Sequence, residues 1–134
     1  MFAGVRAVSL QPEKSVISVS YKWFNKNPFH SVYFAILAMA AEISTGILCM
    51  GYLYKQNPSL SMLLVKTEGS FYKKAVGKIL FTCADGQSIE EAVEKAIATK
   101  ESITVICHST GVNEQNEIVA DFYYTWSFKV RIRS

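Results

Sequence analysis

The stretch NPFHSVYFAILAMAAEISTGILCMGYLY, residues 27–54, decides the fold of this chain. From Val32 to Tyr54 nearly every residue is apolar, and one carboxylate, Glu42, lies close to the middle of the run. A bilayer span needs about 20 apolar residues, but an acid at the bilayer centre costs about 2.5–3.5 kcal/mol. The pattern therefore predicts no membrane span and favours a helix over residues 31–54, buried on nearly all sides inside the protein.

The remaining sequence predicts strands that would cover this helix. Residues 4–10 and 15–23 are short strand-like runs separated by the turn signal QPEK. Residues 61–85 predict a strand, a break at Glu68-Gly69, and then a long strand. Another strand is predicted over residues 102–110.

A second helix is predicted over residues 88–100, because Ser88 at the N-cap and Glu91 three residues later form a capping-box pattern.

The last strand, residues 117–132, has the clearest periodic pattern, because apolar residues alternate with mostly polar ones over its length. The residues on its apolar face are Ile118, Ala120, Phe122, Tyr124, Trp126, Phe128, Val130 and Ile132. An antiparallel sheet with one apolar face must bury that face, and the long helix is the element apolar enough to lie there. The expected fold is therefore α+β, an antiparallel sheet wrapped around a long central helix, in a single domain over residues 1–134.

Composition and charge exclude several classes of function. The net charge is only +3, with no basic motif of the kind that indicates nucleic-acid binding. The three cysteines, Cys49, Cys83 and Cys107, are widely spaced in apolar runs, which predicts buried reduced thiols in a cytoplasmic protein and no metal site. The N-terminus has no apolar core of the signal-peptide kind.

The side of the helix that carries Glu42 is lined mostly by small or weakly polar residues, because a helix advances about 100° per residue. These residues are Ser31, Ala35, Ala38, Met39, Thr45, Gly46 and Cys49. Two interpretations stay open. The small side chains allow close packing on the sheet or on a partner helix, with Glu42 bonded to a backbone amide, or they line a substrate channel in which Glu42 reacts.

The order of elements resembles that of the hotdog-fold acyl-CoA thioesterases: a β-hairpin, a loop with Asn, a long helix with an acid, then three or four strands. The segment NPFHSVYFAILAMAAEISTG is similar to the helix motif of the phenylacetate-type and 4-hydroxybenzoyl-CoA-type enzymes, in which His-Gly-Gly precedes Leu-Ala-Asp or Leu-Ala-Glu. The segment SMLLVKTEGSFYKKAVGKILFTC looks like the next strands of a less characterised branch, whose helix reads Gly-Ser-x-His, then Ala-Glu-x-x-x-Gly. The resemblance covers nearly the whole chain.

The resemblance implies a role for Glu42, which matches the family's catalytic carboxylate, nine positions after the motif histidine. That histidine position is Tyr33 here, and Phe34 and Ala35 replace the two glycines. The family's oxyanion donor would correspond to the backbone amide of Phe34. Glu42 would then act as general base or nucleophile in the hydrolysis of a thioester.

The resemblance also implies supporting residues. Asn27 falls where many members hold a polar residue that orients the thioester or the water, and Thr45 could position the acid or the water. The expected substrate-binding residues are Tyr33, Met39, Gly46, Lys73, Lys74, Lys129 and Arg131, with the four cations placed for the coenzyme A phosphates. No cofactor is implied, and the partners would be an acyl-CoA or related thioester and a second copy in a homodimer, or a dimer of dimers.

Two alternatives to hydrolysis remain. The loss of His-Gly-Gly favours a hotdog protein that binds an acyl thioester, or only a protein partner, without turnover. A related dehydratase or hydratase would need a histidine near the acid, and the nearest candidate, His30, does not occupy the matching position.

Overall fold

The computed structural model describes residues 5–19, 34–54, 56–75 and 77–131. The elements follow the chain in the order β1 (Val5–Leu10), β2 (Ser15–Val19), α1 (Phe34–Leu53), β3 (Leu60–Phe71), β4 (Ile79–Cys83), α2 (Gly86–Thr99), β5 (Ile103–Val112) and β6 (Ile118–Val130). The six strands form one antiparallel sheet in the order β1-β2-β4-β5-β6-β3. The edge strands of this sheet are therefore β1 and β3.

Helix α1 packs across β2, β4, β5 and β6. The inward face of β6 supplies large buried side chains to this contact: Phe122, Tyr124, Trp126 and Phe128. The predicted sheet wrapped around a long helix is thus confirmed. By length and composition residues 36–53 could cross a bilayer, but they lie against the sheet as the core helix.

Buried hydroxyl groups tie the helix to the sheet. The Ser44 hydroxyl on α1 is 2.7 Å from that of Ser109 on β5 and donates to the Ala41 carbonyl at 2.6 Å. Ser15 on β2 donates to the Ser44 carbonyl. Buried polar groups are costly unless they are paired, so these bonds fix the position of α1 along the strands.

The predicted break at Glu68-Gly69 is wrong, because β3 continues from Leu60 to Phe71 without interruption. Gly69 lies opposite Phe122 on β6, and a Cβ at this position would be 2.6 Å from the Phe122 ring. The glycine therefore makes room for an aromatic ring and does not end the strand. The chain leaves the sheet after Phe71 and returns in the short β4.

The predicted N-cap of the second helix is also wrong. Helix α2 begins at Gly86, with Asp85 at the N-cap position and no side-chain capping bond. The Gly86 amide donates to the Glu13 carbonyl at 3.1 Å, and a Cβ on Gly86 would meet the Pro12 carbonyl oxygen at 2.1 Å. Close contact with the turn between β1 and β2 therefore places the first turn of α2 before Ser88.

Candidate functional site

One side of α1 is left uncovered by the sheet. Met39, Glu42, Ile43 and Met50 lie within an arc of about 100° on the helix, and we call them the open face of α1. The Glu42 side chain is exposed and Met50 is 61% exposed. The prediction that this helix is buried on nearly all sides is therefore wrong for the single chain, in which the acid lies among exposed and half-exposed apolar side chains.

Tyr124 on β6 brings a hydroxyl group close to Glu42. Its Oη donates to the Ala38 carbonyl at 2.6 Å, one turn before Glu42. Burial raises the pKa of the Tyr124 phenol, and the charge of Glu42 raises it further. Both effects keep the phenol protonated as a donor. The alternating pattern of β6 assigned Tyr124 to the apolar face. The only signal in the sequence for its role as a hydrogen-bond donor near Glu42 was the phenol group itself.

Thr45 and Gly46 face the sheet, where the Trp126 indole fills the space beside the small residues. The fully buried Thr45 hydroxyl donates to the Glu42 carbonyl at 2.9 Å and accepts a bond from Trp126 Nε1 at 3.0 Å. A Cβ at Gly46 would lie 3.3 Å from Trp126 Cζ2. Close packing on the sheet thus accounts for these two small residues, and the Thr45 hydroxyl contacts the backbone of Glu42.

Several residues implied by the resemblance lie at or beyond the described start of α1. Asn27, His30 and Tyr33 are outside the described residues. Phe34 is the first residue of α1, and Glu42 follows it eight positions later in the helix. That spacing corresponds to a rise of about 12 Å, so the two groups are far apart within one chain.

The four cations expected to bind phosphates lie at opposite ends of β6. The Lys73 amide donates to the second residue of β6 at 3.3 Å, whereas Lys129 is near the end of the strand. The step of ten residues from Val119 to Lys129 along the strand spans about 33 Å. Lys73 is paired with Glu117, and Lys74 beside it is exposed. Lys129 and Arg131 are exposed and have no carboxylate partner in the part of the chain that the structure describes.

A cavity of about 310 Å³ lies beside the C-terminal half of α1. It is lined by Leu10, Gln11, Pro12, Leu48, Gly51 and Tyr52. Leu48 and Gly51 are turned by about 120° and 180° from Glu42 around the helix. The cavity is therefore separate from the open face.

Comparisons with known proteins establish the fold and leave the activity open. No protein-family model and no curated protein matches the chain. A structure from Pseudomonas aeruginosa, described as a protein of unknown function and probable thioesterase, has a TM-score of 0.82 at 20% identity, over 96% of this chain and 85% of that one.

Two other solved structures are similar at lower sequence identity. A thioesterase from Staphylococcus aureus has a TM-score of 0.69 at 13% identity, over 93% of each chain. A Chlorobaculum tepidum protein of unknown function has a TM-score of 0.76 at 13% identity, over 97% of this chain and 85% of that one. Together with the sheet wrapped around α1, these likenesses establish the hotdog fold of this chain.

Proposed function

We propose that this chain is an acyl-CoA thioesterase in which Glu42 is the general base or nucleophile, working as a cytoplasmic homodimer of single hotdog domains. The observation that carries the proposal is the position of Glu42 on the open face of α1, next to apolar side chains and close to the Tyr124 hydroxyl. The similarity to the Pseudomonas structure, described as a probable thioesterase, and to the Staphylococcus thioesterase supports the reaction class.

Apart from the thioester and water, the chemistry requires only groups that the chain contains. Glu42 takes a proton from water, the resulting hydroxide adds to the thioester carbonyl carbon, the C–S bond breaks, and the departing thiolate takes up the proton. If Glu42 instead attacks directly, an anhydride forms and water then hydrolyses it. A backbone N–H at the start of α1 would stabilise the oxyanion by about 3 kcal/mol.

The 12 Å rise between Phe34 and Glu42 supports a site shared by two copies. A carbonyl oxygen that accepts a bond from the Phe34 amide lies about 3 Å from that nitrogen. The thioester carbonyl is then too far from Glu42 of the same chain to be attacked by a water that Glu42 activates. A two-fold axis that brings the two open faces together can pair the amide of one copy with the acid of the other. The same contact would cover Met39, Ile43 and Met50.

Strand β3 would provide a second contact surface in this dimer, beside the open face of α1. It is an edge strand of twelve residues, and Leu63 and Val65 on it are 68% and 57% exposed. Long apolar edge strands readily pair with another strand. Pairing of β3 with β3 of a second copy would continue the sheet across the two-fold axis, and two such dimers could stack as a tetramer.

For the coenzyme A phosphates, Lys129 and Arg131 are better placed than Lys73, since their charges are not offset by a described carboxylate. Lys73 already pairs with Glu117. The acyl group would lie along Met39 and the other apolar members of the open face. Acyl chain length and the choice between coenzyme A and a carrier-protein thioester would follow from assays.

The primary test is hydrolysis of a panel of acyl-CoAs by wild type and by Glu42→Gln, which keeps the shape of the side chain and removes its charge. We expect the rate to fall by about two orders of magnitude, the effect of a general base, with unchanged melting temperature. Glu94→Gln, an exposed acid on α2, is the matched control and should keep full activity. Equal rates for wild type and Glu42→Gln would contradict the assignment.

A mixing experiment tests whether the site is shared. Phe34→Pro removes the backbone N–H at a position where a helix tolerates proline, and Phe34→Ala controls for loss of the ring. Glu42→Gln and Phe34→Pro should each be inactive alone. After subunit exchange, half of the dimers are mixed and each has one intact site, so roughly a quarter of wild-type activity should return. If the mixture stays inactive, the amide and the acid of one site do not come from different chains, and the shared site is wrong.

The second candidate function is acyl-thioester binding without turnover, favoured by Tyr33, Phe34 and Ala35 in place of His-Gly-Gly. It predicts that an acyl-CoA raises the melting temperature of the wild type while no acyl-CoA in the panel is hydrolysed. Phe34→Gly separates the two readings further. If the ring crowds an active site, this variant should hydrolyse the substrate at least as fast as the wild type.

A further inference from the structure

The three cysteines, which are far apart in sequence, meet at one place in the core. Cys49 on α1, Cys83 at the end of β4 and Cys107 on β5 are all free and buried. The sulfur atoms of Cys83 and Cys107 and a carboxylate oxygen of Asp85 all lie within 4.8 Å of one another, and Cys49 is close enough to interact with the Cys107 thiol. The carboxylate of Asp85, at the start of α2, turns toward them, with Oδ2 3.6 Å from Cys83 Sγ. Packing alone does not require a carboxylate next to buried sulfur atoms.

We propose that Cys83, Cys107 and Asp85 bind a soft divalent cation of the zinc class. Thiolate sulfur and carboxylate oxygen are ligands of Zn²⁺. The site is separate from Glu42 and independent of thioester hydrolysis. The wide cysteine spacing gave no sign of it, because its ligands come from different strands and the loop that follows β4.

The distances suit tetrahedral coordination. The ligand atoms of Cys83, Asp85 and Cys107 all lie within 4.8 Å of one another. With Zn–S bonds of about 2.3 Å and a Zn–O bond of about 2.1 Å, the S···S and S···O edges of a tetrahedron are roughly 3.8 and 3.6 Å. The observed Cys83–Asp85 separation of 3.6 Å already matches such an edge. One edge of the site therefore already has the separation that a bound Zn²⁺ requires, and the others lie within 4.8 Å.

A further contact holds the carboxylate in place. The His108 amide donates to Asp85 Oδ2 at 2.7 Å, in the manner of the outer hydrogen bonds that orient metal ligands. A thiol gives up its proton when it becomes a metal ligand, so Cys83 and Cys107 would each release one proton when the cation binds.

The experiment titrates the reduced, chelator-treated full chain with Co²⁺, whose spectrum reports thiolate coordination, and then with Zn²⁺. We expect one Co²⁺ per chain with a sulfur-to-cobalt charge-transfer band, displacement by Zn²⁺, and release of at least two protons per cation in weak buffer. Asp85→Asn should weaken Zn²⁺ binding at least tenfold, and Cys107→Ala should abolish the band. Asp121→Asn, which removes a carboxylate from the adjacent strand β6 outside the thiol cluster, should bind as the wild type does.

Three results would overturn the proposal: no charge-transfer band in the wild type, fewer than two protons released, or equal Zn²⁺ affinity in the wild type and Asp85→Asn. The last comparison does not depend on Cys107→Ala folding, because Asn keeps the size of Asp. Hydrolysis plays no part in these readouts, so their failure is distinguishable from failure of the thioesterase proposal.

Discussion

Replacement of Thr45 by Val separates a structural role of this residue from a catalytic one. The resemblance would have Thr45 orient the acid or the water, but its hydroxyl is fully buried and bonded to Trp126 Nε1 and to the Glu42 carbonyl. We therefore expect Thr45→Val to lower the free energy of unfolding and to leave the rate of hydrolysis within about threefold of wild type. An orienting role would lower the rate by about two orders of magnitude.

The size of the stability loss follows from the contacts. Valine has nearly the shape of threonine, so no cavity opens. The buried indole N–H of Trp126 loses its acceptor, and an unsatisfied buried donor costs about 1–3 kcal/mol. The bond to the Glu42 carbonyl adds little, because that carbonyl also accepts the helical bond from Gly46. At about 3 °C per kcal/mol for a chain of this length, the melting temperature should fall by roughly 3–9 °C.

Urea titration and thermal unfolding measure the loss, with Thr45→Ser as the control that retains the hydroxyl. Trp126→Phe alone and combined with Thr45→Val completes a double-mutant cycle, in which a coupling energy of about 1 kcal/mol or more would identify the hydrogen bond. A melting temperature that changes by less than a degree would refute the structural role. A large loss of rate in a stable variant would return Thr45 to the catalytic group.

Other predictions concern the sheet, the dimer and acid stability. Gly69→Ala, whose Cβ would lie 2.6 Å from a ring carbon on β6, should cost about 1–3 kcal/mol by urea titration, whereas Gly51→Ala meets no atom within 4 Å and should be neutral or stabilising. Leu63→Lys places a charge on the β3 edge, so light scattering should show monomers. The rate of hydrolysis should fall as well, because the proposed site needs two copies. Burial opposes ionisation of Asp121, but hydrogen bonds from His108 and Thr110 outweigh it and lower its pKa. Its stabilising contribution is therefore present above the unfolded pKa of about 3.9 and lost as pH falls, and Asp121→Asn should flatten that acid limb.

The sequence by itself determined the central helix and the strand that packs on it. The apolar run of α1 and the alternation of β6 are local repeats, with periods set by backbone geometry, and from Ala120 to Phe128 the alternation predicted which residues face the core. It was wrong at the start of the strand, where Ile118 is 49% exposed and Val119 is buried. The same reasoning failed at Gly69 and Ser88. A glycine in a strand and a capping-box pattern are weak local signals, which contacts with Phe122 and with the turn between β1 and β2 override.

Tertiary structure alone decided how the candidate sites are composed. The sequence identified Glu42, but its exposure on the open face of α1 depends on which side of the helix the sheet covers. The nearby Tyr124 hydroxyl and the meeting of Cys49, Cys83 and Cys107 depend on strand register and on the packing of α1 against β4, β5 and β6. Residues dozens of positions apart meet only through the long-range pairing of strands and layers, which no local period encodes.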